Sequence, residues 1–190
     1  MNLPNKITLT RICLIPVVIA LYLINFPYHY LISAIMFALT ATTDFLDGYF
    51  ARKLNQVTNL GKFLDPIADK VLVVTGLLLI LERGVLPFAF GSIACIVIIS
   101  RELIVGALRQ IAAAENKVLA ADWWGKVKTC FQDVAIPLLM ISVIGSETYV
   151  EWIYWLGIAG FAASLLLTIF SGINYVVKNR EILKTVKAKN

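Results

Sequence analysis

Six long apolar runs, separated by short polar or turn-forming segments, divide the chain along its whole length. A helix needs about 20 mostly apolar residues to cross a hydrocarbon layer about 30 Å thick, and each run approaches that length. The breaks contain turn or charge signals such as Asn25-Phe26-Pro27 and Glu82-Arg83-Gly84. The pattern predicts an all-α polytopic membrane protein, a single domain over residues 1–190. Its six transmembrane helices are expected at residues 7–24, 30–50, 60–81, 86–111, 127–144 and 152–177.

The composition changes this picture little. Apolar side chains make up 59% of the 190 residues and charged ones 15%, whereas soluble domains average roughly 45–50% and about 25%. A soluble domain, a disordered chain and a nucleic-acid-binding protein are therefore poor interpretations, despite a formal net charge of +5. The three cysteines lie inside apolar runs and imply no disulfide framework.

The distribution of basic residues predicts how the helices are oriented. Lys and Arg collect at the cytoplasmic ends of transmembrane helices. All of them except Arg83 fall near the N-terminus, around the connection of the second run to the third, around the connection of the fourth to the fifth, or in the C-terminal tail. Both termini are therefore expected in the cytoplasm.

Four aspartates lie in or against the second and third runs, where an ionised carboxylate costs at least about 2.5 to 3.5 kcal/mol. Asp44 and Asp47 are three residues apart and Asp65 and Asp69 four, so each pair projects from one face of its helix. A short connection makes these helices antiparallel neighbours whose acidic faces can meet. An all-oxygen cluster without histidine favours Mg²⁺ or Mn²⁺, and two ions about 3.5 to 4 Å apart would clamp a phosphoryl group. Taken singly, each aspartate could instead be a helix N-cap or the partner of a neighbouring cation.

Small residues lie between the acids. Gly48, Ala51 and Gly61 would let a flat group or another backbone approach closely. Arg52 can donate to a phosphate in a fork. Helix packing in a membrane explains the small residues equally well, and a lone Arg at this end also marks the cytoplasmic side.

Together these residues match a known pattern. The segment Asp44-Phe-Leu-Asp47-Gly48-Tyr-Phe-Ala51-Arg52, followed after eight residues by Gly61-Lys-Phe-Leu-Asp65-Pro-Ile-Ala-Asp69, resembles the signature of the CDP-alcohol phosphatidyltransferase family at all eight defined positions. The resemblance covers essentially the whole chain. Further matches to bacterial members occur at residues 2–11, 63–71, 100–109 and 125–129.

The resemblance implies a homodimer of six-helix subunits in the bacterial cytoplasmic membrane, with a polar cavity open to the cytoplasm. It implies that Asp44, Asp47 and Asp65 hold divalent metal. It further implies that Asp69 contacts metal and acts as the base. The implied reaction transfers the phosphatidyl group of CDP-diacylglycerol to glycerol 3-phosphate and releases CMP. Membrane lipid is an expected partner, and nucleic acid is not.

The resemblance also implies which residues bind the nucleotide of the donor substrate. Those assigned to the nucleotide of CDP-diacylglycerol are Asn5, Thr8, Gly48, Ala51, Arg52, Thr58 and Gly61. Taken alone, Asn5, Thr8 and Thr58 are more often cap or turn residues.

The acceptor carries a phosphate, so cations are expected away from the metal. The basic residues predicted to bind it are Arg101, Arg109, Lys126 and Lys128. Arg101 and Arg109 are eight residues apart, close to two helical turns and so near one face. The competing interpretation is snorkelling, or pairing with Glu102 or Asp133.

Three alternatives stay open, of which the simplest is a purely structural membrane subunit. The signature indicates the donor chemistry and not the acceptor, so inositol phosphate, serine and phosphatidylglycerol are also possible acceptors. From a different class, intramembrane acids beside cations are typical of ion- or proton-coupled transporters. Such transporters often contain repeated halves, and the sequence holds no second copy of the pattern at residues 44–69.

Overall fold

A computed structural model describes residues 3–53, 59–114, 123–144 and 148–179. Within these ranges the helices are α1 (Leu3–Leu23), α2 (His29–Lys53), α3 (Asn59–Glu82), α4 (Phe88–Ala114), α5 (Trp123–Ile141) and α6 (Glu151–Lys178). Two-residue strands, β1 (Val143–Ile144) and β2 (Thr148–Tyr149), pair antiparallel between α5 and α6. Over the described residues the predicted all-helical architecture is confirmed, with this minimal hairpin as the one addition.

The turns follow from the residues at the breaks. Between α1 and α2, Pro27 lacks the N–H that a continuing helix requires, and Tyr28 adopts a φ of 62°. Between α3 and α4, Gly84 has a φ of 71°, which glycine adopts without a clash at Cβ. Its N–H donates to the Leu81 carbonyl at 3.0 Å. These tight turns make α1 and α2, and likewise α3 and α4, antiparallel neighbours in contact.

A glycine lets three helices meet in the core. A Cβ added at Gly76 of α3 would lie 2.6 Å from Cγ2 of Ile136 on α5 and 2.7 Å from Cε2 of Phe37 on α2. Ile136 and Phe37 have no exposed surface. Small residues at such crossings allow close backbone approach, which is how helices associate inside a membrane. This contact also fixes the register of α3 against both neighbours.

A second close crossing joins α5 to α6. A Cβ at Gly157 would lie 2.8 Å from Cδ2 of Leu139, and one at Gly160 would lie 3.3 Å from Cβ of Ala135. Position numbers rise on α6 as they fall on α5, so the two helices run antiparallel.

Buried residues divide the bundle into an apolar end and a polar end. The apolar core contains Val18, Phe37, Leu77, Ile80, Ile98, Leu139 and Phe161. Most buried polar side chains lie from the middle of the bundle toward the other end. They include Thr8, Arg11, Lys128, Gln132, Ser164, Thr168 and Ser171. The polar end is the one at which the sequence predicts the cytoplasmic termini.

Within the described ranges, three helical segments are long and apolar enough to cross a membrane by length and composition. They are Lys6–Leu23, Phe88–Ala113 and Glu151–Lys178, and a shorter apolar segment covers His29–Thr43. Of the remaining helices, α3 carries four charged residues in its first half and α5 carries two. The chain therefore has the helices of a membrane protein, and its two most charged helices, α2 and α3, are those that carry the four aspartates.

Candidate active site

The four aspartates of the signature lie on two neighbouring helices. Asp44 and Asp47 belong to α2, and Asp65 and Asp69 to α3. The register fixed at Gly76 places the backbone of Asp44 level with that of Asp69, since the two helices are antiparallel. The Asp69 side chain is partly buried, whereas the side chains of the other three lie outside the described residues. Among the side chains that are described, no three His, Cys, Asp or Glu residues form a group able to hold metal.

A buried arginine of α1 adjoins the acidic segment, residues 44–47 of α2, which contains Asp44 and Asp47. Arg11 has no exposed surface, and its Nε donates to Oγ1 of Thr43 at 3.1 Å. Thr43 directly precedes Asp44, and its hydroxyl donates to the Thr40 carbonyl at 2.6 Å. Thr8, one turn before Arg11, is also buried. A cation held beside this segment reduces the electrostatic cost of gathering carboxylates at low dielectric.

A basic cluster, consisting of Arg101, Glu102 and Lys128, joins α4 to α5. The Glu102 carboxylate accepts hydrogen bonds from Nη1 of Arg101 at 2.9 Å and from Nζ of Lys128. The side chains of Arg101 and Lys128 are only 12% and 3% exposed. With one carboxylate between two cations, the basic cluster keeps a net positive charge. The Nε of Arg101 is buried without a hydrogen-bond partner in the described chain, a state that costs roughly 1–3 kcal/mol and that an anion would relieve.

The last turns of α6 orient both arginines of α4. Nη2 of Arg101 donates to Oγ of Ser171 at 3.1 Å. Nε of Arg109 donates to the Tyr175 hydroxyl at 3.2 Å, and its guanidinium carbon lies 5.4 Å from the centre of that ring. Gly172 leaves room for the stem of Arg101, because a Cβ there would lie 2.9 Å from its Cγ. Both arginines therefore face α6, as their eight-residue spacing predicts.

Lysines from two further helices extend the positive region. Nζ of Lys70, which follows Asp69 on α3, contacts Gly106 of α4, where any Cβ would collide with it. Gly106 lies within a turn of Arg109, so Lys70 brings a third helix to this region. Lys126 is exposed at the start of α5 and takes no part in the contacts of the basic cluster.

Asp69 and the basic cluster lie at the same depth of the bundle. α3 and α5 run parallel, and the contact of Gly76 with Ile136 sets their register. Asp69 lies about two turns before Gly76 on α3, and Lys128 lies about two turns before Ile136 on α5. An anion bound at the basic cluster would therefore lie level with Asp69.

The predicted nucleotide-binding residues gather at the polar end. Thr8 is buried on α1, and Thr58 lies outside the described residues. The backbones of the others belong to the start of α1, the last turns of α2 and the first turn of α3, whereas their side-chain surroundings are not described. These residues are Asn5, Gly48, Ala51, Arg52 and Gly61.

Sequence reasoning gave no substrate role to several buried polar residues of this end. Arg11 could have been singled out because it lies inside an apolar run. Gln132 carries no charge, and its only signal is its position four residues after Lys128 in an apolar helix. Pairing of Arg101 with Glu102, the competing interpretation of that arginine, is confirmed.

Two grooves run between helices beside the site. One, of about 500 Å³, lies between α4 and α6 and is lined by Arg101, Gly172 and mostly apolar side chains. The other, of about 560 Å³, lies between α2 and α5 and is lined in part by Thr42, Cys130 and Asp133. Asp133 therefore faces α2 from outside the basic cluster.

Two helices that carry paired aspartates therefore lie beside a buried basic cluster at one depth of the bundle. The family model of CDP-alcohol phosphatidyltransferase matches residues 1–169, and the chain belongs to this family. The resemblance seen in the signature is thereby confirmed.

Curated relatives carry a more particular name, CDP-diacylglycerol–glycerol-3-phosphate 3-phosphatidyltransferase. The protein of that name from Bacillus subtilis strain 168 is 40% identical, over 97% of this chain and 98% of the relative. Those from Rickettsia bellii and Salmonella choleraesuis are 38% and 36% identical, each over 92% of this chain and 93% of the relative.

Proposed function

We propose that the protein transfers the phosphatidyl group of CDP-diacylglycerol to glycerol 3-phosphate, giving phosphatidylglycerophosphate and CMP. The observation that carries this proposal is the buried basic cluster level with Asp69, which suits an acceptor that itself bears a phosphate. The names of relatives at 36–40% identity over nearly the whole chain support the same acceptor.

The donor set of the two acidic helices fits a divalent metal. Asp44, Asp47, Asp65 and Asp69 offer only carboxylate oxygens from adjacent, antiparallel backbones, which is the chemistry that Mg²⁺ or Mn²⁺ prefers. These four residues would hold the metal, with two ions expected. When bound, the metal neutralises charge on the pyrophosphate and on the departing CMP.

Asp69 is the proposed base. It takes the proton from the primary hydroxyl of glycerol 3-phosphate as that oxygen attacks the phosphorus next to diacylglycerol. An oxygen–phosphorus bond forms to the acceptor, and the bond from that phosphorus to the oxygen of CMP breaks, so CMP departs with the electron pair. No covalent intermediate with the protein is required, since positioning and charge stabilisation suffice.

Arg101, Arg109, Lys126 and Lys128 are the proposed ligands of the acceptor phosphate. Arg101 and Lys128 have the strongest support, because they are buried and meet at Glu102. Arg109 lies two turns further along α4, where its side chain donates to the Tyr175 hydroxyl of α6. Lys126 is exposed and would attract the acceptor from solvent.

The nucleotide of CDP-diacylglycerol is proposed to lie at the polar ends of α1, α2 and α3. The residues proposed to bind it are Asn5, Thr8, Gly48, Ala51, Arg52, Thr58 and Gly61. Small residues there admit the ribose and base, and Arg52 can donate to a phosphate in a fork.

We further propose that the single domain spans the bacterial cytoplasmic membrane six times as a homodimer. Both termini and the active site would face the cytoplasm. The concentration of Lys and Arg at the polar end of the helices supports this orientation.

The proposal is tested by measuring CMP release from CDP-diacylglycerol by purified protein in detergent, with and without Mg²⁺ or Mn²⁺. Glycerol 3-phosphate is compared with serine, inositol phosphate and phosphatidylglycerol as acceptors. We expect release that requires both metal and glycerol 3-phosphate. Faster release with another acceptor would refute the acceptor assignment and retain the donor chemistry, whereas no release with any of them would refute both.

Replacing the proposed base tests the mechanism directly. Asp69→Asn removes both proton acceptance and a carboxylate ligand, so kcat should fall at least about 10³-fold. The matched control is Asp133→Asn, the same chemical change on α5 outside the basic cluster, which should retain most of the activity. Equal losses in both variants would contradict the role of Asp69.

A further inference from the structure

The side-chain amide of Gln132 is buried with neither of its polar atoms satisfied. The residue has no exposed surface, and Nε2 and Oε1 both lack a hydrogen-bond partner within the described ranges. None of the roles assigned under the proposed function involves this amide. Buried polar groups in native proteins are nearly always hydrogen-bonded, so an amide with both ends free points to a partner outside the chain.

Gln132 marks the inner limit of the proposed acceptor site. It lies four residues after Lys128 on α5, so it projects from the same helix face about 6 Å deeper. One turn further along, Ile136 already belongs to the apolar core. The pairing of α5 with α6 places Ser164 level with Gln132. The Ser164 hydroxyl donates to the Phe161 carbonyl of its own helix at 2.8 Å and is therefore already engaged.

The unsatisfied groups at this end differ in what they can bind. Arg101 Nε is a donor only and suits a phosphate oxygen. The Gln132 amide both donates and accepts, which matches a hydroxyl, since a hydroxyl also donates and accepts. Glycerol 3-phosphate has one hydroxyl that reacts and a second that does not, and the second lies between the phosphate and the reacting carbon.

We propose that the Gln132 amide binds the non-reacting secondary hydroxyl of the acceptor and so selects glycerol 3-phosphate over phosphorylated alcohols that lack it. The inference rests on the proposed function and names a specificity-determining residue for it. With the phosphate at Arg101 and Lys128, this hydroxyl points inward to Gln132, and the primary hydroxyl is left to face Asp69.

The first test uses the wild-type protein alone. 3-Hydroxypropyl phosphate keeps the phosphate and the reacting primary hydroxyl but lacks the secondary one. We expect its kcat/KM to be at least about 10-fold below that of glycerol 3-phosphate, because it leaves a buried amide unpaired. Equal values for the two acceptors would overturn the proposal whatever any variant does.

The second test removes the amide. Gln132→Met has a similar length without polar atoms, and we expect it to lower kcat/KM for glycerol 3-phosphate about 10-fold while leaving that for 3-hydroxypropyl phosphate within threefold. Ser164→Ala is the matched control at the same depth and should preserve the wild-type ratio. An equal loss for both acceptors in Gln132→Met would show a structural role and overturn the proposal.

The experiments distinguish an error in the proposed function from an error in the role of Gln132. If wild-type protein does not release CMP with glycerol 3-phosphate, the proposed function is wrong. If it does, and Gln132→Met keeps the wild-type ratio between the two acceptors, only the assignment of Gln132 is wrong.

Discussion

Glu102 connects two cations that come from different helices, Arg101 of α4 and Lys128 of α5. Its carboxylate offsets their mutual repulsion in a region where solvent screens little, since Lys128 is only 3% exposed. Removal of one member of a mostly buried ion network leaves uncompensated charge, which destabilises a fold more than the intact network stabilises it. Glu102 is therefore expected to matter for stability as well as for the shape of the site.

The variant Glu102→Gln keeps the size of the side chain and removes its charge. We expect it to lower the free energy of unfolding by about 2 to 3 kcal/mol, slightly below the range for fully buried pairs because Glu102 is 23% exposed. The measurement is unfolding of the purified protein in detergent. Glu82→Gln, at an exposed position, should change stability by less than about 0.5 kcal/mol. An unchanged unfolding midpoint in Glu102→Gln would contradict this account.

Charged residues of the candidate site are easier to single out from the sequence than neutral ones. Asp69 and Arg101 stand out because a charge in an apolar run is costly and needs a reason. Gln132 and Ser171 do not, because an uncharged polar side chain in a helix costs much less and is common at helix contacts. Ser171 and Tyr175 hydrogen-bond to the two arginines because α4 packs against α6. A local sequence pattern does not predict which helices pack together.

At the scale of elements, the apolar pattern located all six described helices, but their ends extend into polar sequence. α2 continues to Lys53 and α5 begins at Trp123, both beyond the apolar runs. A helix continues as long as its residues tolerate helical geometry, whereas an apolar run ends at the first charged residues. The run therefore underestimates the length of the helix. The turns were predictable because Pro27 and Gly84 break helices by their own covalent structure. The hairpin of β1 and β2 has too few residues to leave a pattern.

Close helix crossing at Gly76 gives a prediction at this scale. Gly76→Ala gains about 1 kcal/mol in helix propensity, but its methyl would lie 2.6 Å from Ile136 Cγ2 and 2.7 Å from the Phe37 ring. Both neighbours are fully buried, so overpacking of about 1–3 kcal/mol should outweigh the gain and lower the unfolding midpoint. Gly160→Ala, whose Cβ would lie 3.3 Å from Ala135 Cβ, should have a smaller effect. Stabilisation by Gly76→Ala would show that these helices separate easily.

Among the residues that the structure describes, most buried polar side chains lie toward one end of the molecule, and tryptophans lie near both ends. Trp123 at the start of α5 is 70% exposed, and Trp152 at the start of α6 is 69% exposed. Exposed aromatic side chains at helix ends are typical of the two interfaces of a bilayer. Their positions support a bundle that crosses the membrane with the candidate site on the side rich in Lys and Arg.

Cysteine labelling tests this orientation. In a chain whose own three cysteines are replaced by alanine, Glu151→Cys should react with a membrane-impermeant maleimide on intact cells, because the start of α6 would face outward. Lys178→Cys, at the exposed end of the same helix, should react only after the membrane is permeabilised. CMP release by the cysteine-free parent controls for folding. The reverse labelling pattern would place the site outside the cell and contradict the proposed topology.

The contact of Glu102 with both buried cations has a consequence for how fast the site can turn over. In the proposed acceptor site an arriving phosphate meets cations that already have an anionic partner, so it must share or exchange with an internal competitor. Its net affinity is then lower than it would be for the two cations without Glu102, because the carboxylate already offsets part of their charge. Moderate affinity shortens the residence time of a phosphorylated product, which keeps dissociation from becoming the slow step of each cycle.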